Sequence, residues 1–160
     1  VAKKPLRMNH KLHTITSTKT RLIWYIITSG FLLFLDQTLK SLARANPKGS
    51  WYLIEPWLGW EYLPNPGIAF EIPVPNALLI IITPIILLGG ITFILHKKKN
   101  TPLLLLGTCL VIAGAVSNLI DRFLFSITID YLRIITSVIN IADILIVVGA
   151  ILILINEKRN

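Results

Sequence analysis

The chain has almost no sulfur and little negative charge. Cys109 is its only cysteine and Met8 its only methionine. A single cysteine excludes an intrachain disulfide and any multi-cysteine metal centre, and its place inside an apolar run suits a small apolar filler. His10, His13 and His96 lie in polar, basic stretches without ligand-like spacing and read as solvated side chains. No metal and no cofactor is expected. Acidic residues number eight against sixteen basic ones, and charged residues of both signs fill only 15% of the positions. Hydrophobic residues fill 54%, and the mean hydropathy is +0.70. This is the composition of a membrane protein, with room for one compact bundle and no second large domain.

The net charge of +8 would suit nucleic acid if it were spread over one face. It is not. Lys3, Lys4, Arg7, Lys11, Lys19 and Arg21 crowd the first 21 positions, Lys97-Lys98-Lys99 form a run, and Lys158 and Arg159 stand near the end. These clusters flank apolar segments, as topology-setting charges do, so no nucleic-acid partner is expected.

Four segments approach the roughly 20 apolar residues that a membrane crossing requires. They run from about Leu22 to Ala43, Ala77 to Leu95, Pro102 to Ile120, and Ile134 to Ile155. The expected fold is therefore a membrane all-α protein with four transmembrane helices. Residues 1–21 form a basic cytoplasmic tail, and residues 22–160 a single membrane domain. The first apolar run reads as a retained helix rather than a secretory signal peptide. The excess of Lys and Arg in the tail, the 97–99 loop and the last residues places both termini in the cytoplasm. Seven of the eight acidic residues then face outward, Glu157 being the exception.

The outer segment 44–76 differs in composition, holding Trp51, Trp57 and Trp60 with Tyr52 and Tyr62. Short apolar stretches at Trp51–Ile54, Leu58–Leu63 and Ile68–Ile72, broken by Pro and Gly, predict a small extracytoplasmic β-sheet between helices 1 and 2. Its aromatic residues suit the outer membrane surface.

Two aspartates stand out. Asp130 and Asp143 lie at the junction of the last two apolar segments. A carboxylate at membrane depth costs about 2.5–3.5 kcal/mol on insertion scales and usually marks a functional site. Two that converge suit shared-proton, water-activating chemistry. Around them are Asn118, Asp121 and Arg122, which share one helix face by their spacing, and Asn140, which shares a face with Asp143. Asn118, Asp121 and Arg122 alone read as a helix-end cap and ion pair. Asp36 and Lys40, four apart, suit an ion pair anchoring the first helix near the outer surface. In Asn65-Pro66-Gly67, Gly67 permits a turn that aims Asn65 inward. A proton-coupled transporter also uses intramembrane carboxylates, but the polar groups gather at one face and no half-chain repeat is visible. A non-catalytic scaffold leaves that outward clustering unexplained.

In order, D-Q-x-x-K (Asp36 to Lys40), N-x-G-x-A-F (Asn65 to Phe70), N-x-x-D-R (Asn118 to Arg122), I-D-Y (Ile129 to Tyr131) and N-x-A-D (Asn140 to Asp143) resemble lipoprotein signal peptidase, or signal peptidase II. The resemblance covers residues 22 to 155. It implies an aspartic endopeptidase of the bacterial cytoplasmic membrane. Such enzymes remove signal peptides from prolipoproteins, cutting before the cysteine that already carries diacylglycerol.

Asp130 and Asp143 match the catalytic pair. Asn65, Gly67, Asn118, Arg122 and Asn140 match substrate-binding or dyad-orienting positions. Asp36, Lys40 and Asp121 match structural polar ones, with Asp121 the main rival for a catalytic role. The implied partners are diacylglyceryl-modified prolipoproteins and membrane lipids, and a monomer is expected. The sequence departs from the family pattern at Ser117, where glycine is usual, and at Ile139, where phenylalanine is usual. Pro66 and Ile68 vary the Asn-Gly motif, and the spacing from Asp130 to Asn140 is short.

Overall fold

The structure, a computed structural model, describes residues 8–67, 74–97 and 101–159, with side chains from Lys19 onward. Helix α1 runs Met8–Ala45, β1 Trp51–Ile54, β2 Leu58–Asn65, α2 Asn76–Leu95, α3 Pro102–Phe125, β3 Thr128–Ile134, β4 Ser137–Ile139 and α4 Ile141–Arg159. Three stretches are long and apolar enough to cross a bilayer among the described residues: Lys19–Ala45, Asn76–Leu95 and Pro102–Phe125. A fourth helix, α4, stands where the last crossing is expected, its apolar run bounded by Asp143 and Glu157.

Two boundaries differ from the sequence expectation. Helix α1 begins at Met8, well ahead of Leu22, because neither Pro nor Gly interrupts the chain between Met8 and Gly30. The basic segment from Met8 on is thus continuous with the first span. Helix α4 begins at Ile141 rather than Ile134, because residues 134–139 close a hairpin. Its turn holds Ile135 at a φ of 55°, outside helical geometry.

That hairpin also corrects the expected sheet. The four strands pair antiparallel in the order β1-β2-β3-β4. Only half of the sheet lies between helices 1 and 2; the other half is the connection between helices 3 and 4. Thr128–Leu132 is too short and apolar for an exposed loop, and it becomes β3, pairing with β2 through Leu63↔Asp130 and Asn65↔Thr128. The third strand expected, at Ile68–Ile72, lies outside the described residues.

Much of the helix surface is apolar and left uncovered by the rest of the protein. No residue of α2 is buried, and Ile81, Ile85, Ile86, Leu88 and Phe93 are exposed, as a helix apolar all round requires in a membrane. The tight contact is between α3 and α4. A methyl at Gly107 would lie 2.7 Å from the Gly149 carbonyl oxygen, and one at Gly149 2.5 Å from that of Gly107. One at Gly114 would run into the Ala142 carbonyl oxygen. Small residues let these helix backbones touch, and Gly114 thereby sets where the first turn of α4 sits.

Gly114→Val is accordingly expected to lower the melting temperature in detergent, with a cost of about 1–3 kcal/mol for overpacking. Gly89→Ala, where an added methyl meets nothing within 4 Å, should leave it unchanged. Equal melting of the two variants would contradict the close approach.

At the other end of the bundle, Thr101 caps α3 by accepting the Leu104 N–H at 3.2 Å. Thr101 also bonds Asn156, and Lys97 pairs with Glu157. The start of α3 and the end of α4 are thus fixed to each other. The polar groups singled out in the sequence lie at the opposite end.

Candidate active site

Strand pairing brings the first element of the site together. Asn65 and Asp130 are diagonal neighbours on one face of the β2–β3 pair, and Asn65 Nδ2 donates to Asp130 Oδ2 at 2.9 Å. The second Asp130 oxygen, Oδ1, accepts from Asn140 Nδ2 at 2.6 Å. Asp130 is buried, with 1% of its surface exposed.

Asp143 enters from the first turn of α4, and its position follows from a capping box. Asn140 is the N-cap: its Oδ1 accepts the Asp143 N–H at 2.8 Å, while Asp143 Oδ2 accepts the Asn140 N–H at 3.3 Å. Asp143 Oδ1 accepts from Asn118 Nδ2 of α3 at 2.9 Å. A carboxylate there also sits at the positive end of the α4 dipole.

Three asparagines therefore hold the two carboxylates, and each amide is locked in orientation. Asn65 Oδ1 accepts the Gly67 N–H at 2.9 Å, Asn140 Oδ1 accepts the Asp143 N–H, and Asn118 Oδ1 accepts from Lys40 Nζ at 2.8 Å. With each oxygen taken by a donor, each Nδ2 must face a carboxylate. The Asp130 carboxyl is pushed up to about 7 by burial first and then by the charge of Asp143. The N–H donors of Asn65 and Asn140 oppose the shift.

Behind this cluster is a second, fully buried one. Lys40 Nζ pairs with Asp36 Oδ2 and with Asp121 Oδ2, each at 2.8 Å. Asp121 also accepts from Gln37 Nε2 at 3.1 Å and from the Ile129 N–H at 3.2 Å. Its carboxylate is occupied by these donors, and among the described residues no hydrogen bond joins it to Asp130 or Asp143. The ion-pair partner of Asp121 is Lys40 and not the adjacent Arg122. Asp36 and Lys40 are also deeper than an outer-surface anchor: they are 0% and 1% exposed.

Arg122 reaches the Asn65–Gly67 corner, donating from Nη2 to the Gly67 carbonyl at 3.2 Å, and its own carbonyl accepts from Asn76 Nδ2 at 3.2 Å. It shapes the loop that carries Asn65. All ten residues singled out in the sequence thus lie in two connected layers: Asn65, Gly67, Asn118, Arg122, Asp130, Asn140 and Asp143 in one, Asp36, Lys40 and Asp121 in the other.

Sequence reasoning assigned no role to Gln37, Ser117 and Tyr131, which complete the deeper layer. A signal was present: Ser117 and Asp121 are four apart, as are Asp36 and Lys40, so each helix carries a polar stripe inside an apolar run. Among the described residues, no group of three or more His, Cys, Asp or Glu stands close enough to hold a metal ion.

Two open spaces flank the C-terminal end of α3. A cleft of about 540 Å³ is bordered by Pro66, Val74, Pro75, Asn76 and Ser126. An apolar groove of about 460 Å³ lies between α2 and α3, lined by residues that include Ile80, Pro84, Leu119 and Phe123.

Residues 28–158 match the family model for signal peptidase (SPase) II. The chain is 35% identical over 143 residues to the lipoprotein signal peptidase of Syntrophomonas wolfei, covering 82% of this chain and 96% of that protein. It is 32% identical over 126 residues to the lipoprotein signal peptidase of Halothermothrix orenii, covering 77% and 87%. Among solved structures it is similar to a bacterial membrane enzyme determined by the in meso method at 2.3 Å resolution. The TM-score there is 0.78 at 27% identity, over 84% of this chain and 87% of that one.

Proposed function

Because the chain belongs to the signal peptidase II family and is a peptidase, we propose that it removes signal peptides from diacylglyceryl-modified prolipoproteins with Asp130 and Asp143 as an aspartic dyad. The observation that carries this reading is the arrangement of the two carboxylates, each held by asparagine amides whose orientation is fixed from behind.

Two close carboxylates do not both ionise cheaply, so the pair shares one proton over a range of pH and titrates as a unit. In that form the ionised member takes a proton from water, which attacks the scissile carbonyl. The protonated member donates a hydrogen bond to the carbonyl oxygen and stabilises the developing charge. Collapse of the tetrahedral intermediate breaks the C–N bond and delivers a proton to the leaving amine of the lipidated cysteine.

The peptide enters through the cleft beside Asn65–Gly67, whose corner Arg122 braces. The diacylglyceryl chains lie along the apolar groove between α2 and α3, which opens on the lipid side. With α4 as the fourth crossing and the basic segments inside, both termini are cytoplasmic. The site then faces the outer leaflet of the bacterial inner membrane, where the cleavage site of a translocated precursor arrives.

The pH dependence follows. In the folded protein Asp130 stands near 7, above its ordinary 3.8, so folding favours its protonated form. The stability it contributes is complete below about pH 4 and is lost as the pH rises through about 7. The dyad's shared proton leaves over the same upper range. Cleavage of a lipid-modified prolipoprotein by the purified protein should therefore fall as the pH is raised past about 7. A rate at saturating substrate that stays flat to pH 9 would contradict the shared proton.

A further inference from the structure

Asp36 binds four donors. Its Oδ2 accepts from Lys40 Nζ at 2.8 Å and from Ser117 Oγ at 2.6 Å. Its Oδ1 accepts from the Tyr131 hydroxyl at 2.8 Å and from the Ala142 N–H at 3.2 Å. Three of the four donors are chain neighbours of a site residue: Ser117 precedes Asn118, Tyr131 follows Asp130, and Ala142 precedes Asp143. One carboxylate on α1 thus gathers α3, β3 and α4 at the three places that carry the dyad and the Asn118 amide.

The two hydroxyls are built in. Ser117 is 0% exposed and Tyr131 1%. Ser117 Oγ also accepts from Gln37 Nε2 at 2.8 Å, and the Tyr131 hydroxyl accepts the Ile141 N–H at 3.2 Å. The first three N–H groups of α4, from Ile141, Ala142 and Asp143, therefore go to Tyr131, Asp36 and Asn140. A helix leaves those groups without intrahelical partners. Here they are taken by three side chains, two of them from other elements. Burial and the charge of Asp36 push the Tyr131 phenol up, so it stays a donor. The Tyr131 ring packs on Trp60, with centroids 5.0 Å apart, and that packing survives removal of the hydroxyl.

We propose that the hydroxyls of Ser117 and Tyr131 are positioning groups for the reaction. Through Asp36 they set the separation of the backbone segments that carry Asp130 and Asp143. Both are buried and act on the reaction through Asp36. This rests on the dyad reading. A small misplacement of a reacting group is costly, about 10²-fold for 1 Å, so loss of one tether should appear in the chemical step.

The test uses the full-length protein in detergent with a lipid-modified prolipoprotein, comparing Tyr131→Phe and Ser117→Ala with wild type. Asp130→Asn serves as the dyad control. Tyr131→Phe is expected to lower kcat roughly tenfold while KM stays within about twofold, and Ser117→Ala should move kcat in the same direction. If Tyr131→Phe does not fold, Ser117→Ala carries the same readout. A lowered melting temperature with wild-type kcat in the folded variants, alongside an inactive Asp130→Asn, would overturn the positioning role and leave the dyad standing. Activity in Asp130→Asn would overturn the dyad reading and the positioning role together.

Discussion

Asp143→Asn and Asp130→Asn are each expected to abolish prolipoprotein processing while the protein still inserts and accumulates near its normal level. The replacements are nearly isosteric: an asparagine oxygen at position 143 still accepts the hydrogen bond from Asn118, and one at position 130 keeps one of the two bonds that Asn65 and Asn140 supply to Asp130. What disappears is the exchangeable proton. An amide neither takes a proton from water nor lends one to a carbonyl, so both halves of the reaction lose a partner. One positioned acid–base group is worth about 10²–10⁴ in rate, and in a shared-proton pair either member does both jobs. Precursor accumulation in cells, read with the protein's own level on the same gel, checks this. Processing that survives in either variant would contradict the dyad.

Lys40→Met should act on the fold instead. The ammonium stands between two carboxylates, Asp36 and Asp121, both 0% exposed. Removing it leaves two buried negative charges facing each other, and breaking a buried pair in this way costs about 3–5 kcal/mol. That is a large part of the total stability of a small domain. It also releases the Asn118 amide, so surviving protein should be poorly active. Membrane-inserted protein and its melting temperature in detergent are expected to fall sharply. Combining Lys40→Met with Asp36→Asn and Asp121→Asn removes the stranded charges and should recover part of the loss. A melting temperature close to wild type for Lys40→Met alone would mean that the ion cluster contributes little.

Much of this was legible in the chain. Among the described residues, the three helices long enough to cross a bilayer show as long apolar runs. Asp130 and Asp143 stand out because a carboxylate beside such a run has few bland explanations. The joining of distant segments was not legible. Asn65 meets Asp130 only through the β2–β3 register, which depends on a hairpin at 134–137 that reads in sequence as the start of an apolar helix. Ile134, Ile135, Val138 and Ile139 are as apolar as the span that follows, and periodicity does not separate a short apolar strand from the end of a helix.

Asp36 and Lys40 suggested an isolated pair because i,i+4 spacing reports neighbours on one helix only. The larger share of their bonds comes from α3, β3 and α4, which no local pattern encodes. Asp121 was a plausible rival on proximity alone. Its bonds to Lys40, Gln37 and Ile129 give it a different environment from the two aspartates that receive asparagine amides.

The most direct measurement is cleavage of a defined diacylglyceryl-modified prolipoprotein by the purified protein. Product masses would be read for wild type, Asp130→Asn, Asp143→Asn and Asp121→Asn. The expected result is a single cut immediately before the lipidated cysteine by wild type, none by the first two variants, and residual cleavage by folded Asp121→Asn. Cleavage by Asp130→Asn together with its complete loss in Asp121→Asn would contradict the dyad, and an intact precursor with well-folded wild type would contradict the function.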